Sequence, residues 1–125
     1  MIADTTFLIQ FLREGAAQTA GPARAFLAGH RGAGIRTSVI SLGEVAIAFK
    51  SSAAAWDYFK KWRIYPLHRG IIDAAADVDR ELIATGRRLG ENDNWIAGFC
   101  RYYREPLISL DQAFDRVPRL RRLAY

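Results

Sequence analysis

The chain has 125 residues, 50% of them hydrophobic and 25% charged, which is the balance of an ordinary globular protein and predicts a single domain over residues 1–125. Its apolar runs are all shorter than the ~20 residues of a membrane span, and its one cysteine, Cys100, excludes an intrachain disulfide, so we expect a cytoplasmic protein with no membrane role. The net charge of +5, carried mostly by arginine, favours a polyanionic partner without distinguishing RNA from DNA, although a solvated basic surface would give the same composition.

Predicted strands and helices alternate along the chain. A strand at MIAD is followed by a helix at TTFLIQFLRE with Thr5 or Thr6 as its cap, a helix at GPARAFLAGH beginning near Pro22, and a strand in GAGIRTS. Helices follow at SVISLGEVAIAFKSS and AAWDYFKKW, then a strand at RIYPL and helices at GIIDAAADVDRELIAT and NDNWIAGFCRYYRE. The last elements are a strand at PLISL, a short helix at DQAFDRV and a strand or tail at LRRLAY. This order predicts an α/β fold with a mostly parallel central sheet flanked by helices.

Three carboxylates follow the predicted strands or open helices. Ligands of open parallel sheets bind beyond the carboxyl ends of the strands. Asp4 closes the first strand, Asp111 follows PLISL and opens a helix, and Asp93 opens the helix of NDNWIAGFCRYYRE after a loop. These positions predict that the three side chains belong to one site.

Glu44 is a fourth candidate, for a different reason. It is the only charged residue from Thr37 to Phe49, and it shares a helical stripe with Ile40 and Ile47. A lone buried carboxylate costs roughly several kcal/mol unless it is paired or bound to a metal. We therefore expect Glu44 to be buried opposite an arginine or a metal ion.

Each acid also has a purely structural interpretation. Asp93 and Asp111 suit the first turns of helices, Asp4 could cap the first helix, and Asn92 is predicted to be the N-cap of its own helix. The remaining acids are interpreted as solvent-facing residues with basic neighbours, and the main ones are Glu14, Asp57, Asp73, Asp77, Glu81, Glu105 and Asp115. Capping alone explains one such acid more easily than it explains four.

Four clustered carboxylates persist mainly when a cation neutralises them or when some of them are protonated. All-oxygen donors select hard cations such as Mg²⁺, Mn²⁺ or Ca²⁺. Zinc is disfavoured because His30 and His68 are far apart in sequence and Cys100 has the pattern of a core residue. Magnesium held by carboxylates usually serves phosphate chemistry. An acidic centre on a basic protein therefore predicts a metal-dependent nuclease.

Four segments in this order resemble the PIN domain family, especially VapC-like toxins of bacterial and archaeal toxin–antitoxin pairs. The segments are DTT near the start, SVISLGE, NDNWIAG and PLISLD, and the resemblance covers essentially the whole chain. It implies a PIN-like fold and a ribonuclease that depends on Mg²⁺ or Mn²⁺ and hydrolyses RNA with a metal-activated water. It also implies a homodimer that is blocked by a cognate VapB-like antitoxin.

The resemblance extends to individual acids. The first acid of the family matches Asp4, its helical glutamate matches Glu44, its third acid matches Asp93 and its last matches Asp111. The resemblance therefore implies that these four residues are the catalytic and metal-binding set.

Supporting hydroxyl residues also match. Thr5 and Ser109 fall where the family carries hydroxyl side chains, and the resemblance implies that they orient ligands or water, although both could serve only in caps or turns. Thr6 and Gly98 differ from the residues common at their positions, and neither difference touches the acids.

Three alternatives belong to other classes. A phospho-receiver domain would have an acidic pair near its first strand and a lysine after a late strand, and this chain has no lysine beyond Lys61. A phosphatase of the haloacid-dehalogenase type would have a second aspartate at position 6, where Thr6 stands. A non-catalytic PIN-like scaffold that binds RNA or protein would normally have lost one of the acids, yet all four are present.

Overall fold

The computed structural model describes residues 1–125 as five short strands, six α-helices and one 3-10 helix. The strands are β1 (Ile2–Ala3), β2 (Arg36–Ser38), β3 (Arg63–Tyr65), β4 (Leu107–Ile108) and β5 (Arg122–Leu123). The helices are α1 (Thr5–Ala16), α2 (Pro22–Gly29), α3 (Val39–Ala46), α4 (Ser52–Tyr58), α5 (Arg69–Ala84) and α6 (Glu91–Tyr103), and the 3-10 helix is Gln112–Arg116. None of the helices combines the length and the apolar character needed to cross a membrane.

The five strands form one parallel sheet in the order β3-β2-β1-β4-β5. The predicted α/β fold with a parallel central sheet is therefore confirmed. The order places β1 at the centre, with β2 on one side and β4 on the other. A receiver domain has the order 2-1-3-4-5 instead, so the sheet excludes that alternative.

Successive residues of the central strands point to opposite faces of the sheet, and each face has its own core. Ile2 and Leu107 pack on the face covered by α5 and α6, in a cluster that includes Phe99. Ala3 and Ile108 pack on the other face, which α1 to α4 cover. Helices thus bury both faces of the sheet. A ligand can reach the sheet only at the carboxyl ends of its strands or at their amino ends, which we call the carboxyl edge and the amino edge.

Side chains at the helix starts fix where the chain turns from strand to helix. Asp4, Ser38, Ser51 and His68 each accept a hydrogen bond from a backbone N–H in the first turn of the following helix. The prediction of Thr5 or Thr6 as the cap of α1 was therefore wrong, because Asp4 fills that position. The predicted start of α2 near Pro22 is confirmed.

Glu14 does not face solvent as the sequence suggested. It is 3% exposed, and its carboxylate accepts hydrogen bonds from the backbone N–H groups of Ala23 and Arg24, at 3.0 and 2.8 Å. A carboxylate at the N-terminus of a helix is stabilised by the free N–H groups and by the helix dipole. Glu14 of α1 therefore anchors the start of α2.

Helices α5 and α6 approach each other most closely at Gly98. A Cβ atom built at Gly98 would lie 2.7 Å from the Cβ of Ala75 and 3.0 Å from the backbone of Ala75. Because the obstacle is backbone, no side-chain rotation relieves it. The absence of a side chain at Gly98, noted above as a departure from the family, is thus what allows the two helices to pack.

We predict that Gly98→Ala lowers the free energy of unfolding by about 1–3 kcal/mol, the usual cost of overpacking a well-packed contact. Gly43→Ala is the matched control, since Gly43 also lies within a helix but has open space around its Cβ position. That control should gain up to about 1 kcal/mol from helix propensity. Urea denaturation measures both, and equal effects would contradict the packing explanation.

Candidate functional site

The carboxyl edge of the sheet has a crevice between β1 and β4. The connections from these two neighbouring strands run to opposite sides of the sheet order, and such switch points are where open α/β sheets bind ligands. Asp4 directly follows β1, and Ser109 directly follows β4, with Asp111 two residues further on. The register pairs Ala3 with Ile108, so the chain leaves both strands at the same level.

Asp4 is buried at this edge and well supplied with hydrogen bonds. It is 3% exposed, and it accepts bonds from the Phe7 N–H at 2.7 Å and from the Thr6 hydroxyl at 2.8 and 2.9 Å. Burial raises the pKa of Asp4, and the hydroxyl of Ser109 together with the Phe7 and Thr6 donors opposes that rise without cancelling it. Asp4 is therefore both the N-cap of α1 and a desolvated acid facing the crevice.

Glu44 reaches the site from α3, and it is exposed rather than buried. The expectation of a buried glutamate was wrong, because α3 buries the face that carries Leu42 and Val45, whereas Ile47, one turn after Glu44, is 91% exposed. No arginine lies opposite it. The Thr5 hydroxyl donates to one oxygen of Glu44, and the Asn92 amide donates to the other at 2.8 Å.

Asp93 is the acid for which capping and site interpretations compete, and the geometry separates them. It is the third residue of α6, the N-cap is Gly90, and no side chain caps that helix. The prediction of Asn92 as the cap was therefore wrong as well. Burial raises the pKa of Asp93, and the charges of Asp111, Glu44 and Asp4 raise it further. Asp93 thus lies within electrostatic range of the other three acids.

Asp111 combines a structural bond with its place near the other acids. Its carboxylate accepts from the Ala113 N–H at 2.8 Å and caps the 3-10 helix, as its position after the strand predicted. Its own N–H donates to the hydroxyl of Ser109 at 3.0 Å, and Ser109 is fully buried. Ser109 therefore connects the two acids on either side of the crevice, Asp4 and Asp111.

None of these four carboxylates has an arginine or lysine partner. The ion pairs of the protein involve other acids, namely Asp57, Asp73, Asp77, Asp79, Glu81, Glu105 and Asp115. Uncompensated oxygen donors, with the pKa values of Asp4 and Asp93 raised, suit a hard divalent cation. No group of three or more of these donors lies at the separation needed to bind one metal ion. The residues therefore fit such an ion by donor type and charge, without forming a closed cage.

A cavity of about 350 Å³ opens beside two of these acids, lined by Glu44, Gly90, Glu91, Asn92 and Asp93. Glu91 is a further exposed acid there, and it has no ion pair within 4 Å. The cavity has no hydrophobic wall residue, so it suits a charged or strongly polar ligand.

Local sequence patterns do not reveal the residues that hold the acids. Asn92 was interpreted as a cap, and nothing in its neighbourhood signals a bond to Glu44, 48 positions earlier in the chain. Thr6 was noted only as a departure, yet its hydroxyl bonds to Asp4. Tyr125 packs edge-on against Phe7 with ring centroids 4.7 Å apart, and burial raises the pKa of its hydroxyl. Of these residues, only Thr6 could have been predicted from a local sequence pattern, since it lies two residues from Asp4.

Comparisons with known proteins identify the family and the fold. The sequence model of the PIN domain family matches residues 1–120. The structure is similar to VapBC2 from Rickettsia felis bound to a promoter DNA fragment, with a TM-score of 0.82 and 18% identity over 99% of this chain and 97% of that one. It is also similar to DNA-bound VapBC from Salmonella typhimurium, with a TM-score of 0.81 and 16% identity over 98% and 96% of the two chains.

A third similar structure is FitAcB from Neisseria gonorrhoeae, with a TM-score of 0.76 and 14% identity over 98% of this chain and 95% of that one. At these identities the likenesses show the fold. None of the curated proteins compared with the chain matches it in sequence.

We predict that Asp93→Asn raises the melting temperature of the protein in EDTA at pH 7. Folding raises the pKa of Asp93, so the folded state loses stability as pH rises from the ordinary value of 3.8 through the raised pKa. The variant escapes this loss, and its advantage should therefore shrink as the pH is lowered toward 4. Thermal melts across this pH range measure the difference.

Glu91→Gln is the control, because Glu91 lies in the same first turn of α6 and should lose only its helix-dipole contribution, roughly 0.3–1 kcal/mol. If Asp93→Asn is destabilised in the same way as Glu91→Gln, then Asp93 serves the helix and not a cluster of charges.

Proposed function

Since the chain belongs to the PIN domain family, we propose that it is a Mg²⁺- or Mn²⁺-dependent endoribonuclease and the toxin of a toxin–antitoxin pair. The observation that carries this proposal is a set of four carboxylates without basic partners: Asp4 and Asp111 follow the two strands of the switch point, and Glu44 and Asp93 line one cavity. In this proposal residues 1–125 form one catalytic domain that acts on RNA in the cytoplasm.

The four acids have different parts in the proposed reaction. Asp4, Glu44, Asp93 and Asp111 would hold the cation, which when bound activates the attacking water and neutralises charge that develops on the phosphate. Asp4 is held most firmly, by its backbone and hydroxyl donors. Glu44 is exposed and depends on side-chain donors for its position.

The supporting residues act on the acids. Thr5 and Asn92 each donate to one oxygen of Glu44, which fixes the orientation of its carboxylate. Ser109 accepts from the Asp111 backbone and its hydroxyl lowers the pKa of Asp4, so it acts on both of those acids. These hydroxyl and amide groups carry no net charge, and therefore leave the negative potential of the site intact.

We predict that Asp4→Asn, Asp93→Asn and Glu44→Gln each lower RNA cleavage by at least about a hundredfold, as loss of a principal electrostatic group does. Mn²⁺ should stabilise the parent by roughly 1.4 kcal/mol per tenfold excess over its dissociation constant, and Asp93→Asn much less. The measurements are cleavage of a labelled RNA and thermal melts with EDTA, Mg²⁺ or Mn²⁺.

Glu91→Gln is again the matched control, since Glu91 lines the cavity but does not belong to the four acids. It should cleave RNA and respond to Mn²⁺ like the parent. Cleavage that persists in EDTA, or a parent that cleaves no RNA and ignores both metals, would favour the non-catalytic scaffold that binds RNA or protein.

The partner in this proposal is a VapB-like antitoxin that places a basic side chain in the acidic cavity. Two of the similar structures are VapBC complexes, and the exposed carboxylates without partners here would attract an arginine or lysine. Ile47 supports the same idea, because it is 91% exposed on the helical stripe of Glu44, where a bound chain would cover it. We propose that the protein is a homodimer, as the family resemblance implies.

We predict that co-expression with the small reading frame adjacent to its gene yields an inactive complex. Ile47→Ser should weaken this complex at least about tenfold, because less apolar surface is then buried on binding. Light scattering gives the oligomeric state and titration calorimetry gives the affinity. The free Ile47→Ser protein should melt like the parent, because the side chain is already in water. A parent that stays monomeric and active beside the neighbouring product would contradict the partner proposal.

A further inference from the structure

The largest cavity of the molecule, about 670 Å³, lies at the amino edge of the sheet, opposite the carboxylates. Pro106, which precedes β4, and Arg121, which precedes β5, place it there. Its lining carries four arginines, one acid and a single hydrophobic residue: Cys100, Arg101, Arg104, Glu105, Pro106, Arg119 and Arg121. The cavity is therefore strongly basic.

Two of its four guanidinium groups have no partner in the protein. Arg104 and Arg121 make no side-chain hydrogen bond and no ion pair, whereas Arg101 binds both oxygens of Glu81 at 2.9 and 3.0 Å. Arg119 reaches the same carboxylate at 3.3 Å and is 73% exposed in its side chain. Free donors of one sign are thus concentrated at a single opening.

The acid in the lining does not balance this charge. Glu105 already accepts hydrogen bonds from Arg36 and from the Tyr65 hydroxyl, one on each carboxylate oxygen. Its negative charge is shared with a basic residue outside the cavity, so Arg104 and Arg121 remain available to an anion from solution.

The backbone holds two of these arginines in an unfavourable conformation. Arg104 has φ 54° and ψ 39° directly after α6, and Arg119 has φ 64°. Glycine is the favoured residue at a left-handed position after a helix, because it has no Cβ to clash. Arginine at Arg104 therefore lowers stability, and what it provides in return is a charged group at the cavity.

We propose that this basic cavity binds the phosphate backbone of RNA at a second contact, separate from the acidic edge. The planar guanidinium donates two parallel hydrogen bonds to a phosphate, and such contacts hold a strand without reading its bases. The cavity also gives a role to the basic segment RVPRLRRLAY, which supplies Arg119 and Arg121.

The choice of RNA among polyanions rests on the proposed function. The geometry agrees with it, because α6 has Asp93 in its first turn and Arg104 directly after its last residue. Its 13 residues span about 20 Å at about 1.5 Å per residue, a length that several nucleotides of one RNA strand can cover along the surface.

The test is the binding of a fluorescent 20-nucleotide oligouridylate, followed by anisotropy in EDTA so that cleavage plays no part. The variants are Arg104→Gly, Arg121→Gln and the double variant. The control is Arg13→Gln, because Arg13 is an exposed arginine of α1 away from the cavity and makes no side-chain bond. Duplex DNA of equal length is a second probe.

We expect the double variant to bind oligouridylate at least about tenfold more weakly in low salt, and Arg13→Gln to change affinity less than about twofold. The slope of log affinity against log salt should fall by roughly 0.7 for each cavity arginine that is removed. Arg104→Gly should melt at or above the parent temperature, since glycine relieves the left-handed backbone, so lost binding there is not lost folding.

The proposal is overturned if the double variant binds like the parent, if Arg13→Gln loses as much affinity, or if only duplex DNA binding declines. A parent that binds oligouridylate through these arginines but cleaves no RNA with Mn²⁺ would overturn the proposed function and support the cavity as a binding site. A parent that cleaves RNA, with arginine variants that bind oligouridylate normally, would support the proposed function and overturn the cavity as a binding site.

Discussion

The structure at the carboxyl edge of this protein has to accommodate like-charge repulsion among carboxylates. The fold offsets it with backbone dipoles rather than with basic side chains. Asp4 caps α1, Asp111 caps the 3-10 helix, and Asp93 lies in the first turn of α6, so three helix starts direct their partial positive charge at one place. Glu44 does not lie at the start of a helix, and side-chain donors hold it instead. Partial charges reduce the repulsion without neutralising the site, which leaves it attractive to a cation.

The alternation of elements and the acids at strand ends could be predicted from sequence because both follow from local patterns. The burial of single charges could not. Glu44 lies in an apolar segment, but such a segment can cover a surface as well as a core, and the exposed Ile47 shows that this one does. Glu14 follows Arg13 and looked solvated, yet the turn after α1 brings the start of α2 onto it. Both errors concern which face of a helix meets the rest of the protein, and that depends on residues far away in the chain.

Charge is divided between the two edges of the sheet, with acids beyond the carboxyl ends of the strands and arginines before the amino ends. The helices cover both faces, so these edges are the only places where a ligand meets the sheet. An overall charge of +5 therefore conceals a strongly acidic site. The proposed enzyme needs both signs, because a negative strand must be held close to a negative centre, and separation of the charges lets one surface attract it without cancelling the other.

The pairing of β1 with β4 also bears on how the protein is made. Ile2 at the centre of the sheet pairs with Leu107, so β1 cannot complete its pairing until a strand 105 positions later has been synthesised. Non-local pairing of this kind is slow to form, and a chain emerging from the ribosome cannot complete it early. Asp4 and Asp111 consequently remain apart on every partly synthesised chain. The acidic edge is therefore assembled only after β4 and Asp111 have been synthesised, and a shorter nascent chain lacks the complete set of acids.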